Sequence, residues 1–224
     1  MKRVLSIVLT IIICFSMASC GLKSKKDAEA FEIAKQAYDS INRAYTQTCE
    51  VADDIYSAWQ VAIYHKDSVG FDYLADNLSL SKEDLDEGIV YSIFTLANGS
   101  SYETASEKDK QEFRNSGDFF FITFKDRPAW ACITVVHYAY VVNGTVSDID
   151  SALSEAKDNI KKLEEVYPDY EHSANLKKFY TTVNSYWELV KSPEVSYEQF
   201  SENMTSYEKE ARDCMSDLDF TFKE

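Results

Sequence analysis

The chain has 224 residues, 45% of them hydrophobic, with 23 basic side chains against 38 acidic ones and a formal charge of −15 at pH 7. That balance excludes most nucleic-acid partners, because a phosphate backbone is held by clustered lysine and arginine. Six glycines and three prolines are few for this length, which points to long helices with little loop around one full core.

The chain opens with Lys2 and Arg3, follows with an uncharged apolar run over residues 4–17, and then places the small residues Ala18 and Ser19 before Cys20. This is the layout of a secretory signal rather than of a folded element. The run is shorter than the roughly 18 to 20 apolar residues that a bilayer-spanning helix needs. Met17-Ala18-Ser19-Cys20 resembles the lipobox of bacterial lipoproteins, with Met17 where leucine is usual. The resemblance implies that residues 1–19 are removed as a lipoprotein signal peptide. It further implies that Cys20 carries a diacylglyceryl thioether, and that the chain is anchored at the extracytoplasmic face of the cell membrane or outer membrane. Two acyl chains hold a protein stably where one is marginal, at about 0.8 kcal/mol per buried methylene. Cleavage takes away two basic residues and no acidic one, leaving 21 against 38 and a charge of −17. Residues 20–26 then form the lipidated cysteine and a short tether, whose Lys23, Lys25 and Lys26 can each contribute roughly 1 kcal/mol against anionic headgroups.

Residues 27–224 read as one helical-bundle domain. Between residues 28 and 65 there is no Gly or Pro. Phe31, Ala34, Tyr38, Ile41, Tyr45 and Thr48, then Ala52, Ile55, Trp59 and Ala62, recur at alternating steps of three and four. That is a heptad-like seam with one polar member, flanked by the row Ala30, Ala37, Ala44, Val51 and Ala58. Such a helix, on the order of 55 Å long at 1.5 Å per residue, needs partners along its whole length. Small residues beside the seam let another helix approach closely.

Residues 67–79, broken by Gly70, read as a connection. Ser81 with Asp84, flanked by Leu80 and Leu85, has the form of a capping box with a hydrophobic staple and predicts a helix from Ser81 to about Ala97. Its acids Glu83, Asp84, Asp86 and Glu87 lack the ligand register and central glycine of an EF-hand and read as a solvated first turn. A short helix opened by Thr104 with Glu107 follows. The Phe-Phe-Phe-Ile-Thr-Phe run at 119–124 is too short to classify by period and fits a strand or a buried helical turn. Pro128 suits a helix first turn. Residues 129–142 are apolar almost all round, which predicts a buried helix at the centre of the bundle, with His137 alone on it as a core histidine.

The last eighty residues predict three helices, over about 147–167, 171–191 and 196–218. The first ends before Pro168, and the last opens on Ser196 with Gln199 between Val195 and Phe200. Short links make such helices antiparallel neighbours.

Chemistry-bearing patterns are sparse. His65, His137 and His172 fall in separate segments without a metal-binding spacing, so no zinc site and no cofactor is expected, and no phosphate loop or nucleophile elbow is present. With Cys14 removed and Cys20 lipidated, Cys49, Cys132 and Cys214 allow at most one internal disulfide. Cys49 with Cys214, on the first and last helices, is the pair if one forms, and free buried thiols are the other outcome. The sequence therefore predicts an all-α antiparallel multi-helix bundle, lipid-anchored and extracytoplasmic. Its expected function is non-catalytic binding or scaffolding of another envelope protein. The alternative is a sensory bundle that holds a small molecule among Trp130, Tyr138, Tyr140 and Trp187. An envelope hydrolase ranks third and would need a cleft with a carboxylate of raised pKa.

Overall fold

The computed structural model describes residues 2–64, 74–98, 106–114 and 128–223, with side chains from residue 25 onward for most of them. The chain is an all-α bundle. Its helices are α1 (Lys2–Tyr64), α2 (Lys82–Asn98), α3 (Glu107–Arg114), α4 (Pro128–Val142), α5 (Thr145–Val166), α6 (Ser173–Lys191) and α7 (Tyr197–Phe222). No strand occurs among the described residues.

The seam of α1 is the core of the molecule. Eight of its ten expected members are buried, and Phe31 and Trp59 are half-buried at its two ends. All five members of the small row, from Ala30 to Ala58, are buried as well. Two adjacent apolar rows give α1 more than one face to cover, and α4, α5, α6 and α7 all pack against it, α5 most extensively.

Side-chain pairs fix the directions. Trp59 meets Tyr197 and Phe200, Tyr45 bonds to the Glu208 carbonyl and Phe31 meets Phe222, so α7 runs antiparallel to α1. Glu164 pairs with Lys177 and Asp150 with Trp187, so α5 and α6 are also antiparallel. This is the arrangement their short link requires.

Local chemistry sets the helix ends. Ser196 caps α7 with a complete capping box, its hydroxyl accepting the Gln199 N–H while the Gln199 side chain returns to the Ser196 N–H. Ser81 accepts the Asp84 N–H at 3.0 Å, as its spacing predicts, and Leu80 and Leu85 are buried beside it. The chain turns from α4 into α5 on Gly144, whose φ of 89° suits a residue without Cβ.

Three expectations are corrected. The short helix α3 starts at Glu107, with Ser106 rather than Thr104 as its cap; the Ser106 hydroxyl accepts the Asp109 N–H at 3.2 Å. The helix expected from residue 171 begins at Ser173, because residues 167–172 are spent on a turn.

The third concerns α4, which lies at the side of the bundle rather than at its centre. Trp130 is 41% exposed and Ile133, Thr134, His137 and Tyr138 are half-buried, so His137 is not a core histidine. This fifteen-residue helix packs on α1, α2 and α5 yet leaves Trp130 exposed, whereas the longer α1 takes four neighbours along its length. His65, Gly70, Thr104 and the 119–124 run lie outside the described residues, as do the side chains of the signal segment and Cys20.

Candidate functional site

The four aromatics expected to surround a ligand separate into two pairs. Tyr140 and Trp187 belong to the core, with 2% and 1% of their surface exposed. Each directs its polar end to a carboxylate. The Tyr140 hydroxyl donates to Asp54 Oδ2 at 2.8 Å, and the Trp187 indole N–H donates to Asp150 Oδ1 at 2.7 Å. Burial, and then the Asp54 charge, push the Tyr140 hydroxyl far above its ordinary pKa. Asp54 is itself buried and also accepts the Ser79 N–H at 2.8 and 3.0 Å. It thereby ties the segment before α2 to α1 and α4.

Trp130 and Tyr138 instead line an open cleft of about 330 Å³ between α4 and the end of α6. The period of α4 explains the split. Residues 130, 133, 134, 137 and 138 share its outer face, while Ala131, Cys132, Val135, Val136 and Ala139 are buried on the inner one. The other wall is Lys191, Ser192, Pro193 and Glu194, where α6 stops. Tyr138 is held by stacking on Tyr91, with ring centroids 4.6 Å apart.

The charges of the cleft are unequal in their freedom. Lys191 Nζ lies 3.1 Å from Glu188 and 3.7 Å from Asp150, and 5.8 Å over the Trp187 ring. Burial works against its charge, but the two carboxylates outweigh burial and hold the ammonium above its ordinary pKa. Burial, with Lys191 second, holds the His137 imidazole below its ordinary value and therefore neutral at pH 7. Glu194 sits exposed at the rim. Two ring surfaces, a neutral imidazole, the Thr134 and Ser192 hydroxyls and a rim carboxylate thus line one cleft. Trp130 and Tyr138 are among the residues expected from the sequence and share this cleft, whereas Lys191 and Glu194, which come from a different helix and its following loop, are not.

Two other hollows are larger and shallower in chemistry. One of about 690 Å³ lies between residues 26–30 of α1 and the turn at Pro168, and one of about 510 Å³ runs along the first turns of α5. Neither brings an exposed ring together with a histidine and a lysine.

The three described thiols are free. Cys49 sits against Tyr45 and the Glu208–Arg212 turn of α7, whereas Cys214 has Lys178 of α6 beside it, so the Cys49–Cys214 pairing is not made. Burial pushes the Cys49 thiol up to about 11 and the Cys132 thiol up to about 12.

Among the described residues, no three His, Cys, Asp or Glu side chains group as metal ligands. No helix there is long and apolar enough to cross a membrane. No protein-family model matches the chain, and no match is found among curated proteins or solved structures.

Proposed function

We propose that the chain is an exported, lipid-anchored module of the bacterial envelope, held to the membrane through Cys20 and acting by binding another envelope protein without catalysis. The observation that carries this reading is the basic, then apolar, then Met17-Ala18-Ser19-Cys20 order of the first twenty residues. The bundle is compatible with it. The helix α1 runs on continuously through residues 20–26, the core is filled by side chains, and an aromatic cleft lies between α4 and the end of α6.

Crosslinking in intact cells, followed by purification of the tagged chain and mass spectrometry, tests the reading. A stoichiometric protein companion is expected with the native chain and should be lost with Cys20→Ala, which should also move the chain from the membrane fraction to the soluble one. A Cys20→Ala chain that stays with the membrane and keeps every companion would overturn the anchor. The small-molecule alternative rests on the Trp130–Tyr138 cleft alone, since Tyr140 and Trp187 are committed to the core. A compound retained in native mass spectrometry and lost with Trp130→Ala would favour it.

A further inference from the structure

We propose that the cleft between α4 and the end of α6 docks an arginine or lysine side chain of the protein partner, its cation lying on the Trp130 ring with Glu194 as counter-charge. This rests on the binding-module reading above and names the chemistry its partner must present. Three observations lead to it. Trp130 is one of only five large hydrophobic side chains that stand exposed among the described residues, and of the two that line a hollow, Trp130 and Val166, it is the one with an aromatic face. The cation already in the cleft, Lys191, is engaged by Glu188 and Asp150, so it has little left to offer an anionic ligand. Glu194, by contrast, is exposed and has no ion-pair partner among the described residues.

The balance of uncommitted charge is thus negative beside an open indole face. An organic cation over such a face gains about two- to thirtyfold in affinity, depending on how fully it is desolvated. Arginine suits the site best, since its planar guanidinium both stacks and donates in a fork. The hydroxyls of Thr134 and Ser192 and the neutral His137 provide acceptors around it. A volume of about 330 Å³ accommodates a side chain with its flanking backbone rather than a folded element. The chain's excess of 38 acidic over 23 basic residues steers a basic partner toward it from a distance.

The test uses the full chain in detergent micelles, titrated calorimetrically with a capped Gly-Arg-Gly-Arg-Gly peptide and with its Glu-containing counterpart. Saturable binding of the arginine peptide is expected. It should weaken about tenfold with Trp130→Ala and severalfold with Glu194→Gln. It should hold with Glu155→Gln, which removes an exposed charge that pairs with Arg43 far from the cleft. Equal weakening by Glu155→Gln would reduce the effect to diffuse attraction and overturn the site, as would tighter binding of the acidic peptide. Arg127 precedes Trp130 by three residues. Binding seen only after Arg127→Ala would mean that the chain's own guanidinium fills the cleft, and would also overturn it.

In cells, a photo-crosslinking residue at position 133, beside Trp130 in the cleft, should capture the partner where one at Val166 does not. Capture from 166 alone sinks the docking site but leaves the binding module standing. If neither position captures a protein and Cys20→Ala changes nothing, the module reading itself falls.

Discussion

Thr48 is the one polar member of the α1 seam; it is fully buried, and its hydroxyl has no hydrogen-bond partner among the described residues. A buried hydroxyl without a partner carries a desolvation cost that the nearly isosteric valine does not. Thr48→Val is therefore expected to stabilise the fold by about 1 kcal/mol, read as a higher urea midpoint with an unchanged slope. A lower midpoint would show that the hydroxyl is used. Asp54 makes the contrast, because its carboxylate is buried with three hydrogen bonds from Ser79 and Tyr140. In a chain with 38 acids, nothing in the local sequence separates Asp54 from the solvated ones. Its partners come from segments 25 and 86 residues away, and only the packing of α4 and of the segment before α2 against α1 brings them together.

The helices themselves were far more legible, because each depends on neighbours three and four residues away. The α1 seam, its alanine row, the capping box at Ser196 and the stops before Pro168 and at Gly144 all follow from local spacing. What local spacing could not supply was the ranking of helices by burial. An all-apolar stretch such as α4 predicts burial on every side, yet how many neighbours a helix receives depends on its length and on who reaches it. The same limit split the expected ligand aromatics, since Tyr140 and Trp130 lie on one helix but on opposite sides of the bundle's boundary.

The contact between α2 and α4 gives the element-scale prediction. A Cβ at Gly88 would stand 2.6 Å from the Val135 carbonyl oxygen and 2.7 Å from the Ala139 nitrogen, both backbone atoms that cannot rotate away. Gly88→Ala gains about 1 kcal/mol in helix propensity but must push the two helices apart, at about 1 to 3 kcal/mol for overpacking. A net loss of about 1 kcal/mol in urea unfolding is expected. A stabilised variant would mean that α2 is free to shift along α4.

At the scale of the whole molecule, the fold protects its own thiols. Cys132 has no exposed surface and Cys214 only 5%, while burial holds the half-buried Cys49 at about 11. Since the thiolate is the reactive form, iodoacetamide at pH 8 should modify Cys49 roughly a hundredfold more slowly than an unperturbed thiol. Cys132 should react only as the chain unfolds. Mass spectrometry of timed samples with and without urea checks this, and rapid labelling of Cys132 in the native chain would contradict the packing of α4. On the exported reading, such burial spares the thiols stray oxidation without a stabilising disulfide.

The length of α1 has an electrostatic meaning on that same reading. Asp54, where Tyr140 meets α1, lies 28 residues beyond Lys26, or about 42 Å along the helix at 1.5 Å per residue. Screening at physiological ionic strength sets in over about 8 Å, so with α1 standing along the membrane normal roughly five such lengths would separate the headgroups from this level of the bundle. In that orientation a surface potential that gathers the tether lysines would have decayed to nothing there. Partner recognition at the cleft should then be indifferent to whether the supporting lipid is anionic or neutral.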